Sequence, residues 1–547
     1  MRRLPDRPGL VFALVFAWKV ALLIFTAQPV PANDSFFYDG AVVNFLLHGK
    51  YANPSLALVL PISGNAVFCA YPPLYQVALL GWMSISGTSA LSAMWLHVFL
   101  FGVYELIVLA IFRWLRTPAP CVNVAGLFLL SITFHDRPDS LAHVFGMAAV
   151  YACVRARSSL GAQPQINRVS FWTWALVLFT VLTLGTSLQI GAFYLLFIWL
   201  ALLAGRMFAQ ERLPIAAMTA SVLIPIGLIG FVALGFPHLW AGFLEHTRLT
   251  PSATGLRIPD VSSILKIIRT VPGVLAVSVL LPWLVLKRNG RGPADDKQFW
   301  LMAGACTATA VGVVIASLSV VTANMVQIAN YLQPLAVGAC LALVITRTDA
   351  NEGLFRSSEQ PRAGLESQTK LVTTTARGGA TLPRRCLAIF LALAFIVSIR
   401  AIGMSTWGVA CANDMDYATA LDRLRTELNA TAPGNTVLIS AAYLYETARH
   451  DNLNWIHSDW PGKPDYSRGD WERDALLALK PAKLIITQFD YYRRYEAVLG
   501  GLRTRPELVE IKIENTIKVP APDSMKRLQK VVQHISWAPV VVEFSWR

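Results

Sequence analysis

The chain has 547 residues, of which 55% are hydrophobic and only 15% charged, and its mean hydropathy is positive. So few polar groups cannot cover a soluble protein of this size, which places the chain in a bilayer. The net charge of +14 does not argue for nucleic acid, because a polytopic membrane protein collects Lys and Arg in its cytoplasmic loops.

The basic start, Met1 to Arg7, and the apolar run over residues 10–27 have the layout of a signal peptide. No small-residue cleavage site stands before Asp34, so the segment reads as a retained signal anchor. Further apolar runs long enough to span follow at 91–112, 120–134, 140–154, 171–186, 188–205, 215–234, 271–286, 299–320, 326–346 and 386–403. The expectation is thus an α-helical polytopic bundle of about eleven spans. Residues 73–88 are shorter and begin on two prolines. If they do not cross, Arg113 with Arg116, Arg155 with Arg157 and Arg168, Arg206 with Arg212, and Lys287 with Arg288 and Arg291 all fall on the side of the amino terminus. That agreement makes 73–88 an interfacial or re-entrant segment. Residues 28–90, His135 to Ser140 and 235–270 are then placed on the outer side.

The expected domains are a transmembrane core over 1–346, a flexible cytoplasmic linker over 347–385, a last span at 386–403 and an outer α/β domain over 404–547. Within the last, 417–430 and 470–480 read as helices, and 435–441, 483–489, 508–519 and 530–545 as strands. Seven cysteines are scattered without a CxxC pair, and most lie inside apolar runs, as small core residues do. Only Cys69 and Cys411 stand in exposed-looking stretches.

Three outward segments carry polar groups at span ends: Asp34 with Asp39, the Tyr71-Pro72-Pro73 turn, and His135-Asp136-Arg137-Pro138-Asp139. The side assignment lets them converge. Transfer of a sugar from a lipid phosphate to a hydroxyl needs a carboxylate to take the acceptor proton and cations to hold the leaving phosphate. These segments supply both kinds of group.

The order of Asp34 to Tyr38, Leu46-Leu47-His48-Gly49-Lys50-Tyr51, Tyr71-Pro72-Pro73-Leu74-Tyr75, Arg137-Pro138-Asp139-Ser140 and the later Asn330-Tyr331-Leu332-Gln333-Pro334 resembles the GT-C superfamily of integral-membrane glycosyltransferases. The resemblance covers roughly residues 1–346. It implies a polyprenyl-phosphate-linked sugar donor, inversion at the anomeric carbon, and a glycan, lipid or protein acceptor at the outer face of the cytoplasmic membrane. It also implies catalytic roles for Asp34, as general base, and Asp139. Substrate-binding roles fall on Tyr38, Asp39, Tyr71, Pro73, Asp136, Arg137 and Tyr331. Relatives often carry a second acid directly after the first, whereas Ser35 follows here, which leaves Asp34 and Asp39 both open as the base. No metal ligand is assigned, and no cofactor is claimed.

Structural readings compete at each position. Asp39 and Asp139 can serve as helix caps, the reading preferred for Asp39. Arg137 can simply pair with Asp136 or Asp139. His246, in the stretch after the 215–234 span, reads as part of a solvated loop, and Lys19 as a snorkelling or cavity-lining residue. Two other functions fit the same composition: a transporter or flippase of a lipid-linked glycan, and a membrane subunit with a sensing outer domain. Transporters often show paired halves and polar groups at mid-span, and neither is visible here.

Overall fold

The computed structural model describes residues 9–26, 33–69, 71–114, 122–123, 126–127, 129–130, 134, 137–160, 171–209, 214–249, 402–403, 417–450, 452–459, 461–462, 471–487, 490–515 and 539–547. The expected spans at 271–286, 299–320 and 326–346, nearly all of 386–403, and the linker between the last two lie outside the described residues. Tyr331, Asp136 and Cys411 lie outside them as well.

Helices α1 (Leu10–Thr26), α5 (Ala90–Trp114), α6 (Pro138–Leu160), α7 (Phe171–Thr186), α8 (Leu188–Ala209) and α9 (Ile215–Gly235) coincide with expected spans. By length and composition, α5 and α9 are able to cross a membrane. At 1.5 Å per residue, the 25 residues of α5 extend about 37 Å, more than a hydrocarbon core of about 30 Å. Helix α9 is mostly unburied, with Leu223, Ile226, Phe231 and Leu234 exposed. An apolar surface of that kind suits lipid rather than water.

The bundle packs through small residues, as membrane helices do where there is little hydrophobic drive between them. Gly146 of α6 presses on the ring of Tyr194 in α8, Gly102 of α5 on Phe16 of α1, and Gly126 on Val11 and Phe12. Tyr194 also hydrogen-bonds His143 Nδ1 through its hydroxyl at 3.2 Å. Lys19 is partly buried: its Nζ donates to Leu130 O at 3.1 Å and sits 5.6 Å from the Phe101 ring centroid.

Between α1 and α5 the chain forms α2 (Asn33–His48), a 3-10 turn (Pro54–Leu56), α3 (Pro61–Asn65) and α4 (Leu74–Ser86). Helix α2 was not anticipated. Its polar first turn hides an apolar stripe, Phe37, Tyr38, Ala41 and Val42, which is buried at the spacing of one helix face. Helix α4 fills the shorter segment 73–88. The stretch after α9, expected as a loop, begins with α10 (Pro237–Leu249).

The carboxyl-terminal elements are α11 (Tyr417–Asn429), β1 (Thr436–Ile439), a 3-10 turn (Ala441–Tyr443) with the single-turn α12 (Leu444–Thr447), β2 (Asn454–His457), α13 (Trp471–Leu479), β3 (Lys483–Thr487), α14 (Glu496–Leu502), β4 (Leu508–Asn515) and β5 (Pro539–Trp546). The strands form one sheet in the order β2-β1-β3-β5-β4. Strands β2, β1 and β3 run parallel, and β5 is antiparallel to β3 and β4.

Side chains alternate between the sheet faces. Leu438, Leu484, Ile486, Val540 and Val542 pack with Leu476, Leu499 and Leu502 of α13 and α14. Val437, Ile439, Ile485 and Val541 instead join Leu424 and Leu428 of α11, and this second core runs without a break into the helical bundle.

Candidate functional site

The site lies where the start of α6, the α7–α8 junction and α2 meet. Pro138 opens α6 at the first helical position, where its missing N–H costs nothing. Asp139 follows inside the first turn, where the helix dipole favours a carboxylate, so it is a first-turn residue and not the N-cap. It is buried. Its Oδ2 lies 3.1 Å from Arg137 Nε, and its Oδ1 accepts from Ser187 Oγ, also at 3.1 Å. Ser187 sits in the one-residue break between α7 and α8, which is what brings its hydroxyl to the end of α6.

Aromatic side chains wall this ion pair. The Arg137 guanidinium lies 5.9 Å from the centroid of the Tyr38 ring, within reach of a cation–π contact. Tyr38 meets Tyr71 edge-on at 4.9 Å. Burial pushes the Tyr71 phenol up, and the Asp139 charge adds to the shift, while Arg137 and hydrogen bonds with Tyr38 and Ser187 oppose it. Tyr71 therefore remains a neutral phenol at physiological pH. Tyr38, Tyr71, Arg137 and Asp139, four of the residues expected from the motifs, thus come together.

His246 is a correction. It lies in α10, not in a solvated loop: its ring packs 4.8 Å from Phe37 and 6.0 Å from Tyr71. Glu245 fastens the helix in place by accepting the Ile62 backbone N–H at 3.2 Å. Burial lowers the imidazole pKa to about 4, so the ring is neutral near pH 7. Its buried Nδ1 has no hydrogen-bond partner among the described residues. The only signal in the sequence was a polar face on a 13-residue segment that the neighbouring span obscured.

Asp39 is the second correction. It lies in the second turn of α2 and is fully buried, so it caps nothing. Its carboxylate accepts the Tyr75 hydroxyl at 3.0 Å and the Tyr445 hydroxyl at 2.6 Å. Asp34 lies in the first turn of α2, one helical turn before Tyr38, and its side chain is outside what is described. Pro73 is the N-cap residue of α4. Cys69 is a free thiol. Among the described residues, no three His, Cys, Asp or Glu side chains are grouped so as to hold a metal ion.

No family model and no curated protein matches the sequence. Among solved structures, the chain is similar to the oligosaccharyltransferase AglB of Archaeoglobus fulgidus in complex with an inhibitory peptide and a dolichol-phosphate, with 11% identity, TM-score 0.46, and coverage of 89% of this chain and 70% of that one. It is similar to ArnT of Cupriavidus metallidurans bound to undecaprenyl phosphate, with 16% identity, TM-score 0.46 and 98% of each chain covered. A third likeness is to the arabinosyltransferase EmbB of Mycobacterium smegmatis, at 15% identity and TM-score 0.38, over 82% of this chain and 40% of that one. All three are GT-C superfamily glycosyltransferases.

Proposed function

We propose that the chain is a multi-pass membrane glycosyltransferase, which moves a sugar from a polyprenyl-phosphate donor to an acceptor hydroxyl at the outer face of the cytoplasmic membrane. The observation that carries the reading is the meeting of Arg137 and Asp139 with the Tyr38 and Tyr71 rings at helix ends. A guanidinium offers paired N–H donors to phosphate oxygens. Aromatic faces offer a sugar ring an apolar surface that excludes water.

In the proposed step, the acceptor oxygen attacks the anomeric carbon from the side opposite the phosphate, and the bond from that carbon to the phosphate oxygen breaks. The polyprenyl phosphate departs with both electrons of that bond, stabilised by Arg137. Asp34, one turn from Tyr38 along α2, takes the acceptor proton. Asp139 holds Arg137 in place, with Ser187 fixing the second carboxylate oxygen. The carboxyl-terminal sheet lies on the outer side in this reading, against α2.

The test is transfer by the purified full-length protein in lipid nanodiscs, supplied with a panel of polyprenyl-phosphate sugars. Transfer by the wild type that is lost in Asp34→Ala, with an unchanged melting temperature, supports the reading. Full turnover in Asp34→Ala removes that residue from the mechanism, and no transfer from any donor by the wild type removes the reading itself.

A further inference from the structure

Asp39 and Tyr445 are 406 residues apart in sequence, yet the Tyr445 hydroxyl donates to Asp39 Oδ2 at 2.6 Å in a buried setting. The other oxygen, Oδ1, accepts from Tyr75 at 3.0 Å. A phenol has one proton to give, and Tyr75 gives it to Asp39, so His97 Nε2, 3.2 Å from the Tyr75 oxygen, carries a proton and donates to it. Three segments, α2, α4 with α5, and the α12 turn after β1, are thereby tied to one carboxylate.

The surrounding contacts seat the same carboxyl-terminal turn. Tyr443, Leu444 and Tyr445 are all buried. His48, at the far end of α2, donates from Nε2 to Ala448 O at 2.8 Å, and Arg449 donates to Thr88 O, between α4 and α5, at 2.9 Å. Helix α2 is therefore held from the carboxyl-terminal side at two points, near its middle and at its end.

Consecutive residues of a helix point about 100° apart, while residues four apart share a face. Asp39 faces the tyrosine clasp. Tyr38 faces Tyr71 and Arg137, and position 34, one turn earlier, lies on the Tyr38 face. Any rotation of α2 about its axis moves both of these together. A buried carboxylate with a phenolic donor on each oxygen resists such rotation, because turning away leaves buried polar atoms unpaired.

We infer that Tyr445 is a positioning residue: through its hydrogen bond to Asp39 it sets the rotation of α2, and so presents Tyr38 and position 34 to the Arg137–Asp139 site. The carboxyl-terminal sheet is then part of what makes the site competent, and a chain whose α12 turn has lifted off α2 holds the same side chains out of alignment. The consequence for turnover rests on the glycosyltransferase reading, whereas the consequence for α2 does not.

The decisive variant is Tyr445→Phe in the full-length protein in nanodiscs, since it removes one oxygen and keeps the ring. With a wild type that transfers sugar, kcat per folded molecule is expected to fall roughly tenfold, as small misalignments of reacting groups do, while KM for the lipid donor stays within twofold. Arg449→Ala, at the same seat but remote from Asp39, is expected to leave kcat within twofold. Tyr445→Phe placed on top of Tyr38→Ala should cost little more than Tyr38→Ala alone. A kcat unchanged per folded molecule, or a loss fully additive with that of Tyr38→Ala, overturns the inference.

Hydrogen exchange of the α2 backbone amides decides the matter independently of any activity. Faster exchange over residues 38–48 in Tyr445→Phe, with α5 and α6 unchanged, upholds the positioning role even if the wild type transfers no sugar. Identical α2 exchange in the two proteins sinks it.

Discussion

Arg137 and Asp139, two residues apart at the start of α6, hold each other at 3.1 Å between Nε and Oδ2. The two opposite charges meet at contact distance, so a cation is held beside the Tyr38 ring. Both members are largely buried, and a buried pair loses more by the removal of one partner than it contributes when intact.

Arg137→Ala is therefore expected to do two things. Sugar transfer should fall by roughly 100-fold or more in kcat/KM, the scale on which an oriented donor to developing charge acts. Thermal stability should fall as well, by about 3 kcal/mol, because Asp139 is left buried without its cation. Arg137→Lys restores a charge but not the planar fork, so stability should recover more fully than turnover. Kinetics and melting curves on the two purified variants check this, and equal recovery of both would mean that charge alone suffices.

The two acids of α2 are expected to separate cleanly. Asp34→Ala should abolish transfer in a protein that still melts as the wild type does. Asp39→Ala leaves two buried phenols, Tyr75 and Tyr445, without the acceptor they share. A buried donor without an acceptor costs about 1–3 kcal/mol, so this variant should lose roughly 2–6 kcal/mol and shed the protection of the α12 turn in hydrogen exchange. A melting temperature for Asp39→Ala equal to that of the wild type would contradict the clasp.

Apolar runs made most of the described bundle legible. The spans read at 91–112, 171–186 and 215–234 recur as α5, α7 and α9 with ends shifted by only a few residues, because a run of Leu, Val, Ile and Phe bounded by charge has few other places to go. Strands β1, β3 and β4 were legible for the same reason, their β-branched residues standing between turn residues. Helix α2 was not, since a polar first turn after a span looks like loop until the buried face of Phe37, Ala41 and Val42 is seen. Strand β2, Asn454 to His457, was not legible either, because Ile456 is its one β-branched residue, whereas the equally short β1 has three.

At the site, the motif order brought out Tyr38, Tyr71, Arg137 and Asp139. Asp39 was misread because its partner Tyr445 comes from beyond 406 residues of chain, a distance over which no local pattern speaks. His246 was misread because its burial depends on Phe37 and Tyr71, which lie in other segments.

Gly146 offers a test of the bundle itself. A Cβ at this position would run into the Tyr194 ring, which is also the hydrogen-bond partner of His143. Gly146→Ala is expected to lower stability by about 1–3 kcal/mol, the usual cost of overpacking a filled interior, by forcing α6 and α8 apart or turning Tyr194 off its bond. Gly81, with open space around its Cα, is the matched control. Gly81→Ala should be neutral or slightly stabilising, since alanine is the better helix former. Melting temperatures of the two variants in the same detergent compare them directly, and equal effects would deny that the α6–α8 contact is close.

His246 predicts a pH dependence with a definite sign. In the unfolded chain its imidazole takes a proton near pH 6.5, while in the folded protein burial holds that step down to about 4. Between these values the unfolded state binds more protons, so acid favours unfolding. The contribution of His246 to stability is complete above about pH 6.5 and is lost progressively as pH falls towards 4. The measurement is the melting temperature of the wild type and of His246→Phe, which keeps an aromatic ring against Phe37 and Tyr71 but cannot titrate. The wild type should lose more stability than the variant between pH 6.5 and 4, and the two curves should run parallel from pH 7 to 8. Parallel curves throughout would place the imidazole in water, and with it the α10 helix away from the Tyr38 and Tyr71 wall.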